Sequence, residues 1–146
     1  MRIAEIASTP VRVAHPREPL AAAAGEMRRH GVGALVVVSP QDPLPRPLGI
    51  LTDRDVLRAQ IVRATDLYCL TVEDAMTRDL LELPAGLGLA EALDALRRRG
   101  VRRAPVIGDA GELVGIVTLD DLLPAVARQL NDLAGITLAQ SRGAAS

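Results

Sequence analysis

The stretch GILTDRDVL at residues 49–57 recurs later in the chain as GIVTLDDLL at residues 115–123. Both copies follow the pattern G-h-h-T-x-x-D-h-h, in which h is an apolar residue. Upstream of each copy stands a second matched pair, GVGALVVV at residues 31–38 and GVRRAPVI at residues 100–107. Two motifs that repeat in the same order indicate an internally duplicated structural unit.

Helix and strand patterns surround both motifs. Apolar residues recur at helical spacing over residues 20–27 and 89–96, and each run ends in basic residues and a glycine, which is typical of a helix end. Short β-prone runs at residues 11–13 and 80–83 precede these helices, apolar runs follow them, and a last helix follows each T-x-x-D motif. Each half is therefore predicted to run β-α-β-β-α.

The repeats set the expected organisation of the chain. We expect a first repeat at residues 1–62, a linker at 63–70, a second repeat at 71–130 and a C-terminal tail at 131–146. Gly135 is expected to interrupt any helix in that tail. A three-stranded sheet with helices on one side leaves an apolar face uncovered, and a lone repeat of about 60 residues would be marginally stable. The predicted fold is α/β, with two repeats packed sheet to sheet about a pseudo-twofold axis and two clefts.

Composition argues against several classes of partner. Seventeen basic residues nearly balance 18 acidic ones, and Tyr68 is the sole aromatic residue, so neither a basic face nor a stacking surface for nucleic acid is expected. No apolar stretch approaches the roughly 20 residues of a membrane span. Cys69 is the single cysteine, which favours a reducing compartment, and we expect a cytoplasmic protein.

The sequence lacks the residues of common catalytic sites. His15 and His30 are the only histidines, and neither a G-x-x-x-x-G-K-[ST] loop nor a G-x-S-x-G elbow is present. We therefore expect no enzymatic activity and no resident metal. Magnesium is expected only if a nucleotide carries it into the site.

The T-x-x-D motifs have a chemistry that suits a nucleotide. Thr52 and Thr118 are predicted to lie where a strand meets a helix, beside free N–H groups that favour a phosphate. One turn later, Asp55 and Asp121 offer two acceptor oxygens each, enough for both hydroxyls of a ribose. The same residues also form a capping box, in which Thr and Asp satisfy only the helix backbone. Both interpretations stay open from the sequence.

The strands before these motifs are candidates for contact with a flat base. They offer backbone amides and small or apolar side chains at Val32, Gly33 and Ala34 in one cleft, and at Val101, Arg102, Arg103 and Pro105 in the other. A plain core strand is the alternative.

The two motifs differ in charge. Arg54 precedes Asp55 and suits a phosphate, whereas Asp120 holds the matching position in the second copy. Arg102 and Arg103 are expected to compensate in the second half. Two unequal sites are therefore predicted, with the Thr52-Arg54-Asp55 cleft better suited to a phosphorylated ligand. A solvated helix charge is the alternative for Arg54.

Both G-h-h-T-x-x-D turns, the G-V-x-x-h-h-V-h strands and the stretch VEDAMT at residues 72–77 resemble the CBS-domain family, in particular a tandem CBS pair or Bateman module. The resemblance spans residues 3–130. It implies a regulatory module that binds ATP, ADP, AMP or S-adenosylmethionine, with the aspartates on the ribose, and a homodimer that signals to an unknown effector protein. An interaction or dimerisation module without a ligand, in which T-x-x-D only caps helices, is the alternative.

Overall fold

The computed structural model describes residues 1–144. These residues form two three-stranded sheets and five α-helices. In chain order the elements are β1 (Val13–Ala14), α1 (Leu20–His30), β2 (Ala34–Val38), β3 (Pro47–Thr52), α2 (Asp53–Arg63), α3 (Val72–Ala75), β4 (Leu83–Pro84), α4 (Leu89–Arg99), β5 (Arg103–Ile107), β6 (Leu113–Thr118) and α5 (Leu119–Ala144). The predicted β-α-β-β-α order of each half is confirmed.

The two sheets have the same topology. Strands β1, β2 and β3 form the first sheet in that order, with β1 parallel and β3 antiparallel to β2. Strands β4, β5 and β6 repeat this arrangement in the second sheet. Helices α1 and α4 end at Gly31 and Gly100, whose φ angles of 62° and 65° belong to the left-handed region that favours glycine. The duplication read from the sequence is therefore a structural one.

Burial along β2 shows how the halves meet. Leu35 and Val37 join the apolar cluster under the helices of the first half, and Val36, on the opposite face, is also fully buried. Ala104 and Val106 of β5 likewise face their own helices, while Pro105 is buried on the other face. Because neighbouring strand residues point to opposite faces, both sheets are covered on both sides. This agrees with the predicted sheet-to-sheet packing.

Each half is completed by a segment that stands before the other half in the chain: residues 3–8 cross to the second half, and residues 72–77 cross back to the first. Ile3 is fully buried in the core of the second half, and its N–H donates to the carbonyl of Leu87 at 2.8 Å. Val72, after the first repeat, is buried in the core of the first half, and its N–H donates to the Glu18 carbonyl at 2.9 Å. Residues 3–7 therefore precede the first half in the chain but pack with the second, because their apolar side chains complete the second core.

The crossing segments bind the edge strands at equivalent points. Ser8 and Ile116 exchange backbone hydrogen bonds of 2.8 and 3.2 Å, and Thr77 and Ile50 exchange bonds of 3.0 and 2.9 Å. A Cβ on Gly49 would lie 2.8 Å from the Thr77 carbonyl oxygen. The glycine that opens the first G-h-h-T-x-x-D motif thus leaves room for a neighbouring backbone.

The C-terminal part of the chain differs from the prediction. Helix α5 continues through Gly135 to Ala144, so the expected helix break is wrong. One glycine costs a helix only about 1 kcal/mol relative to alanine, and the Leu, Ala and Gln residues around it are good helix formers. Ala145 and Ser146 of the predicted tail lie outside the described residues. No helix within residues 1–144 is both long and apolar enough to cross a bilayer.

Local boundaries shift by a few residues. The strands predicted at residues 11–13 and 80–83 are only two residues long and begin later, at Val13 and Leu83. The predicted linker contains the end of α2 and a 3-10 turn at Leu67–Cys69. Both short strands pair in parallel with the middle strand of their sheet, a contact that local patterns do not reveal.

Candidate functional site

A cleft of about 590 Å³ lies between the two halves, within the range of small-molecule sites. It combines the first T-x-x-D motif with the segment after Thr77 and the start of β5. The residues that line it are Ile50, Thr52, Asp53, Arg54, Asp55, Thr77, Asp79, Leu80, Leu81, Gly100, Val101, Arg102, Arg103 and Pro105. A depression of about 630 Å³ near residues 64–68 has no basic residue in its lining.

The first T-x-x-D motif forms a capping box at the start of α2. The Thr52 Oγ1 accepts a hydrogen bond of 3.1 Å from the Asp55 N–H, and Asp55 Oδ2 accepts one of 2.9 Å from the Thr52 N–H. In the second motif, the Asp121 carboxylate accepts a bond of 2.8 Å from the Thr118 N–H. Both motifs therefore support the backbone of a helix, and any ligand contact comes in addition to that role.

Asp55 keeps one acceptor oxygen for a further partner. Its side chain is 9% exposed, and within residues 1–144 its Oδ1 accepts no hydrogen bond. Every buried side-chain nitrogen or oxygen of the described residues has a partner, so this unpaired Oδ1 reaches solvent. A largely buried carboxylate with an open oxygen in a cleft is suited to accept hydrogen bonds from a ligand.

The backbone N–H groups at the start of α2 are not free, in contrast to the sequence-based expectation. The Asp53 N–H donates to the Gly33 carbonyl at 3.1 Å, and the Arg54 N–H donates to Asp53 Oδ1 at 2.8 Å. The Asp55 N–H donates to Thr52 Oγ1. The helix end thus satisfies its first donors internally, and a phosphate here would depend on side chains.

Three arginines supply those side chains. Arg54, Arg102 and Arg103 all line the cleft, and within residues 1–144 none of them forms an ion pair with a carboxylate. Arg103 crosses toward the first half, since a Cβ on Gly33 would lie 3.2 Å from its Nη1. The start of β5 also lies beside the second motif, since Arg103 pairs with Thr118 and the Leu119 N–H donates to the Arg102 carbonyl at 2.9 Å. The expected compensation by Arg102 and Arg103 in the second half stays a prediction.

Of the candidate strand residues, Val101, Arg102, Arg103 and Pro105 line this cleft, whereas Val32, Gly33 and Ala34 do not. Val32 packs against the core of the first half, the Gly33 carbonyl accepts a hydrogen bond of 3.1 Å from the Asp53 N–H, and Ala34 pairs with Thr52 in the sheet. The first cleft therefore joins the first T-x-x-D motif to the strand of the opposite repeat. The role of Val32, Gly33 and Ala34 stays a prediction, and the contribution of the second repeat depends on the packing of the sheets, which proximity in the sequence does not reveal.

The apolar side of the cleft comes partly from Leu80 and Leu81, which the sequence predicts as part of a strand and not as site residues. Leu80 and Leu81 line it together with Ile50, Val101 and Pro105. They follow the crossing segment and precede β4, so they reach the cleft only because that segment returns to the first half. Their place after the VEDAMT stretch is the one sequence signal that could have found them.

Asp74 and Asp94, the two carboxyl groups with a lowered pKa, do not line the cleft. The backbone N–H of Thr71 donates to Asp74 and lowers the pKa of that carboxyl group. A hydrogen bond from Arg97 lowers the pKa of Asp94 on the outside of α4. Residues 1–144 contain no group of three or more His, Cys, Asp or Glu side chains placed to hold a metal ion.

Comparison with known families finds the CBS domain twice, at residues 3–62 and 72–128. The CBS domain-containing protein YhcV of Bacillus subtilis is 34% identical over 131 residues, which cover 90% of this chain and 88% of that protein. Hypoxic response protein 1 of Mycobacterium tuberculosis is 35% identical over 105 residues, which cover 72% of this chain and 71% of that protein.

Solved structures share the fold. Hypoxic Response Protein I, whose crystal structure contains two coordinated zinc ions, superposes with a TM-score of 0.73 and 31% identity over 86% of this chain and 98% of that one. The CBS domain pair of protein MJ0100, in complex with methylthioadenosine and S-adenosylmethionine, superposes with a TM-score of 0.75 and 23% identity over 86% of this chain and 99% of that one. At the latter identity the likeness concerns the fold alone.

Proposed function

Because the chain belongs to the CBS-domain family, with CBS domains at residues 3–62 and 72–128, we propose that it is a non-catalytic regulatory module that binds a phosphorylated adenosine compound between its halves. ATP, ADP and AMP are the proposed ligands. The observation that carries the proposal is the open Oδ1 of the largely buried Asp55 in a cleft that also holds three arginines without ion pairs in the described chain.

Asp55 and Thr52 provide the polar anchor of the proposed site. The free Oδ1 of Asp55 accepts a ribose hydroxyl, and its Oδ2 stays engaged with the helix backbone. Thr52 Oγ1 accepts from the Asp55 N–H but donates to no acceptor within residues 1–144, so its proton is available to a ligand oxygen. The capping box thus orients both groups before the ligand arrives, which lowers the entropic cost of binding.

Arg54, Arg102 and Arg103 favour a phosphorylated ligand. Guanidinium groups bind phosphate oxygens through fixed pairs of N–H donors, and two of these three come from the second half while Arg54 comes from the first. S-Adenosylmethionine, one ligand of the MJ0100 structure, carries a positive sulfonium that these arginines would repel. We therefore place ATP, ADP and AMP ahead of S-adenosylmethionine.

The apolar side of the cleft suits the adenine ring. Leu80, Leu81 and Val101 offer aliphatic surface to the cleft, and the fully buried Pro105 of β5 lies behind that surface. A flat base packed there would remove apolar surface from water at about 25 cal/mol per Å². Base, ribose and phosphate thus have separate surfaces within one cleft.

A ligand in this cleft contacts both halves at once. Asp55 belongs to the first CBS domain and Arg103 to the second. Binding therefore favours the arrangement of the halves in which both groups reach the ligand, and it shifts the population toward that arrangement. An effector protein that recognises one arrangement would read the ligand concentration.

A ligand-free interaction module is the second candidate, and the capping boxes favour it. The bonds from Thr52 and Thr118 to their aspartates give each motif a purely structural purpose, worth about 1 kcal/mol per helix. A ligand-free module would leave the open Asp55 oxygen and the three arginines without a role. For this reason the ligand-binding function is the main proposal.

We further propose that the chain forms a homodimer through α5. Leu130, Leu133 and Ile136 are each about 60% exposed, and every residue from 127 to 144 is exposed in the single chain. In proteins most helical stability comes from the packing of an apolar face against a neighbour. Leu119, Leu123, Val126, Leu130 and Leu133 alternate in steps of four and three, the spacing of a helix that packs against a like helix. A second copy supplies such a helix.

Sedimentation of Leu130→Glu/Leu133→Glu tests the dimer. We expect this double variant to sediment as a monomer where the native chain sediments as a dimer. Ala139→Glu, on the opposite face of α5, is the control and should leave the dimer intact. A monomeric native chain would contradict the proposal. The cytoplasmic location and the repeat boundaries at 1–62 and 71–130 stay predictions.

Thermal unfolding with ATP, ADP, AMP, NAD and S-adenosylmethionine tests the ligand class. A ligand at a hundred times its Kd stabilises the folded chain by about 2.7 kcal/mol. For a chain of this length we expect the midpoint to rise by about 5 to 10 °C with a phosphorylated adenosine compound. No shift with any of the five compounds would favour the ligand-free module instead.

A further inference from the structure

The two T-x-x-D motifs lie beside equivalent residues of the crossing segments. Thr77 is bonded to Ile50 of β3, and Ser8 is bonded in the same way to Ile116 of β6. Each of these hydroxyl residues therefore lies next to the T-x-x-D motif of its cleft. Their different hydrogen bonds distinguish the two sites.

In the first cleft the crossing segment leaves the aspartate open. Thr77 lines the cleft, but within residues 1–144 its hydroxyl makes no hydrogen bond to Asp55. Asp55 Oδ1 and the hydroxyl proton of Thr52 both remain available. A ribose hydroxyl and a phosphate oxygen can pair with them without breaking any bond of the protein.

In the second cleft the protein uses the same groups itself. The Ser8 hydroxyl donates to Asp121 Oδ1 at 3.0 Å. The N–H and the hydroxyl of Thr118 both donate to Asp121 Oδ2, at 2.8 and 3.0 Å. Both carboxylate oxygens and the threonine proton are thus engaged, and a ribose would have to displace Ser8 to reach Oδ1.

The charge difference between the two motifs also disfavours a phosphorylated ligand at the second motif. Asp120 occupies the position of Arg54 in the second motif, and Gly33 and Ala34 occupy the positions of Arg102 and Arg103. The second motif therefore lacks a counterpart of Arg54 and has a carboxylate in its place that repels phosphate. The hydrogen bond of Ser8 and this charge difference are independent features with the same effect.

We propose that the chain binds one adenosine ligand per protomer, and that Ser8 blocks the second cleft by holding the Asp121 oxygen that a ribose hydroxyl would take. The proposal rests on the function proposed above. Ser8 is exposed and lies at the end of the N-terminal crossing segment, so its hydroxyl can be removed without opening the core around Ile3. Ser8 is thus a residue that determines how many ligands bind.

Adenosine is the probe for the second cleft because it presents the ribose without a phosphate for Asp120 to repel. Asp55→Ala removes the first site, and titration calorimetry then compares Asp55→Ala with Asp55→Ala/Ser8→Ala. One net hydrogen bond corresponds to a gain of about 3- to 10-fold in affinity for the double variant. Asp55→Ala/Thr9→Ala removes an exposed hydroxyl next to Ser8 in the chain, and as the control it should bind adenosine as Asp55→Ala does.

The native chain is titrated with ATP in the same series, and we expect one equivalent per protomer. Two equivalents of equal affinity, or equal adenosine affinities with and without Ser8, would overturn the role of Ser8 while leaving the ligand class intact. Absence of ATP and adenosine binding in every folded variant would overturn the proposed function as well. Unchanged thermal unfolding of Ser8→Ala verifies that the variant is folded.

Discussion

The clefts at Asp55 and at Asp121 start from the same nine-residue pattern and end with different chemistry. Both aspartates cap a helix through the N–H of the preceding threonine. The difference comes from other segments: Arg102 and Arg103 reach the first cleft, and Ser8 reaches Asp121 in the second. A duplicated motif therefore fixes the local backbone, whereas the segments that cross between the repeats decide whether the motif can bind a ligand.

The largest expected effect concerns the crossing segment itself. Ile3→Ala should lower the free energy of unfolding by about 2 to 5 kcal/mol, because it removes a fully buried side chain from the core of the second half. Urea unfolding measures the loss. Glu5→Ala, an exposed change in the same segment, is the control and should have little effect. Equal stability of the two variants would mean that the segment does not complete the second core.

The next effect concerns the charge difference between the clefts. Arg103→Ala should weaken ATP binding by about 1.5 to 3 kcal/mol, the value of a hydrogen bond to a charged group, and should reduce the dependence of the affinity on salt. Calorimetry at two salt concentrations measures both. Arg98→Ala breaks an exposed ion pair with Asp94 outside the cleft and should leave the affinity unchanged. Equal losses for both variants would exclude a specific phosphate contact.

The sequence was sufficient for the parts of the fold that depend on local patterns. The spacing of apolar residues and the glycines at 31 and 100 predicted the helices and their ends, and the T-x-x-D motifs predicted caps that the structure contains. It failed where the partner is distant in sequence. Ile3 looks like any short apolar residue near a chain start, and nothing local shows that it packs beside Leu83 and Leu89.

The candidate site shows the same limit. Thr52 and Asp55 follow from the motif. The presence of Arg102 and Arg103 in the same cleft depends on how the sheets pack. Leu80 and Leu81 depend on the path of the crossing segment. Helix α5 continues past Gly135 for another reason, because the good helix formers around this one unfavourable residue outweigh its cost.

A smaller effect compares the glycines that open the two motifs. A Cβ at Gly49 would lie 2.8 Å from the Thr77 carbonyl oxygen and 2.9 Å from Met76 Sδ, whereas one at Gly115 would lie 3.0 Å from Ala7 Cβ and 3.4 Å from the Ser8 carbonyl oxygen. Gly49→Ala should therefore destabilise the chain by about 1 to 3 kcal/mol, and Gly115→Ala by less. Urea unfolding ranks the pair. The reverse order would show that the segment at residues 72–77, which packs on Gly49, is the looser of the two.

The smallest effect is a pH dependence in the cap of α3. The Thr71 N–H holds the pKa of Asp74 below its usual value, so the carboxylate stabilises the folded state. This contribution is fully present above the unfolded pKa of about 3.9 and is lost as the pH falls through the lower folded pKa. Asp74→Asn should thus be less stable than the native chain at pH 7, and the difference should vanish in acid. A difference that persists in acid would point to a cause other than the charge.

The affinity of ATP for Asp55→Ala and Asp121→Ala, measured side by side by calorimetry, tests the inequality of the clefts most directly. Both variants lose one capping carboxylate, so each serves as the structural control for the other. We predict that Asp55→Ala loses measurable ATP binding, while Asp121→Ala retains the native affinity and stoichiometry. Equal losses in both variants, or a loss confined to Asp121→Ala, would contradict the account.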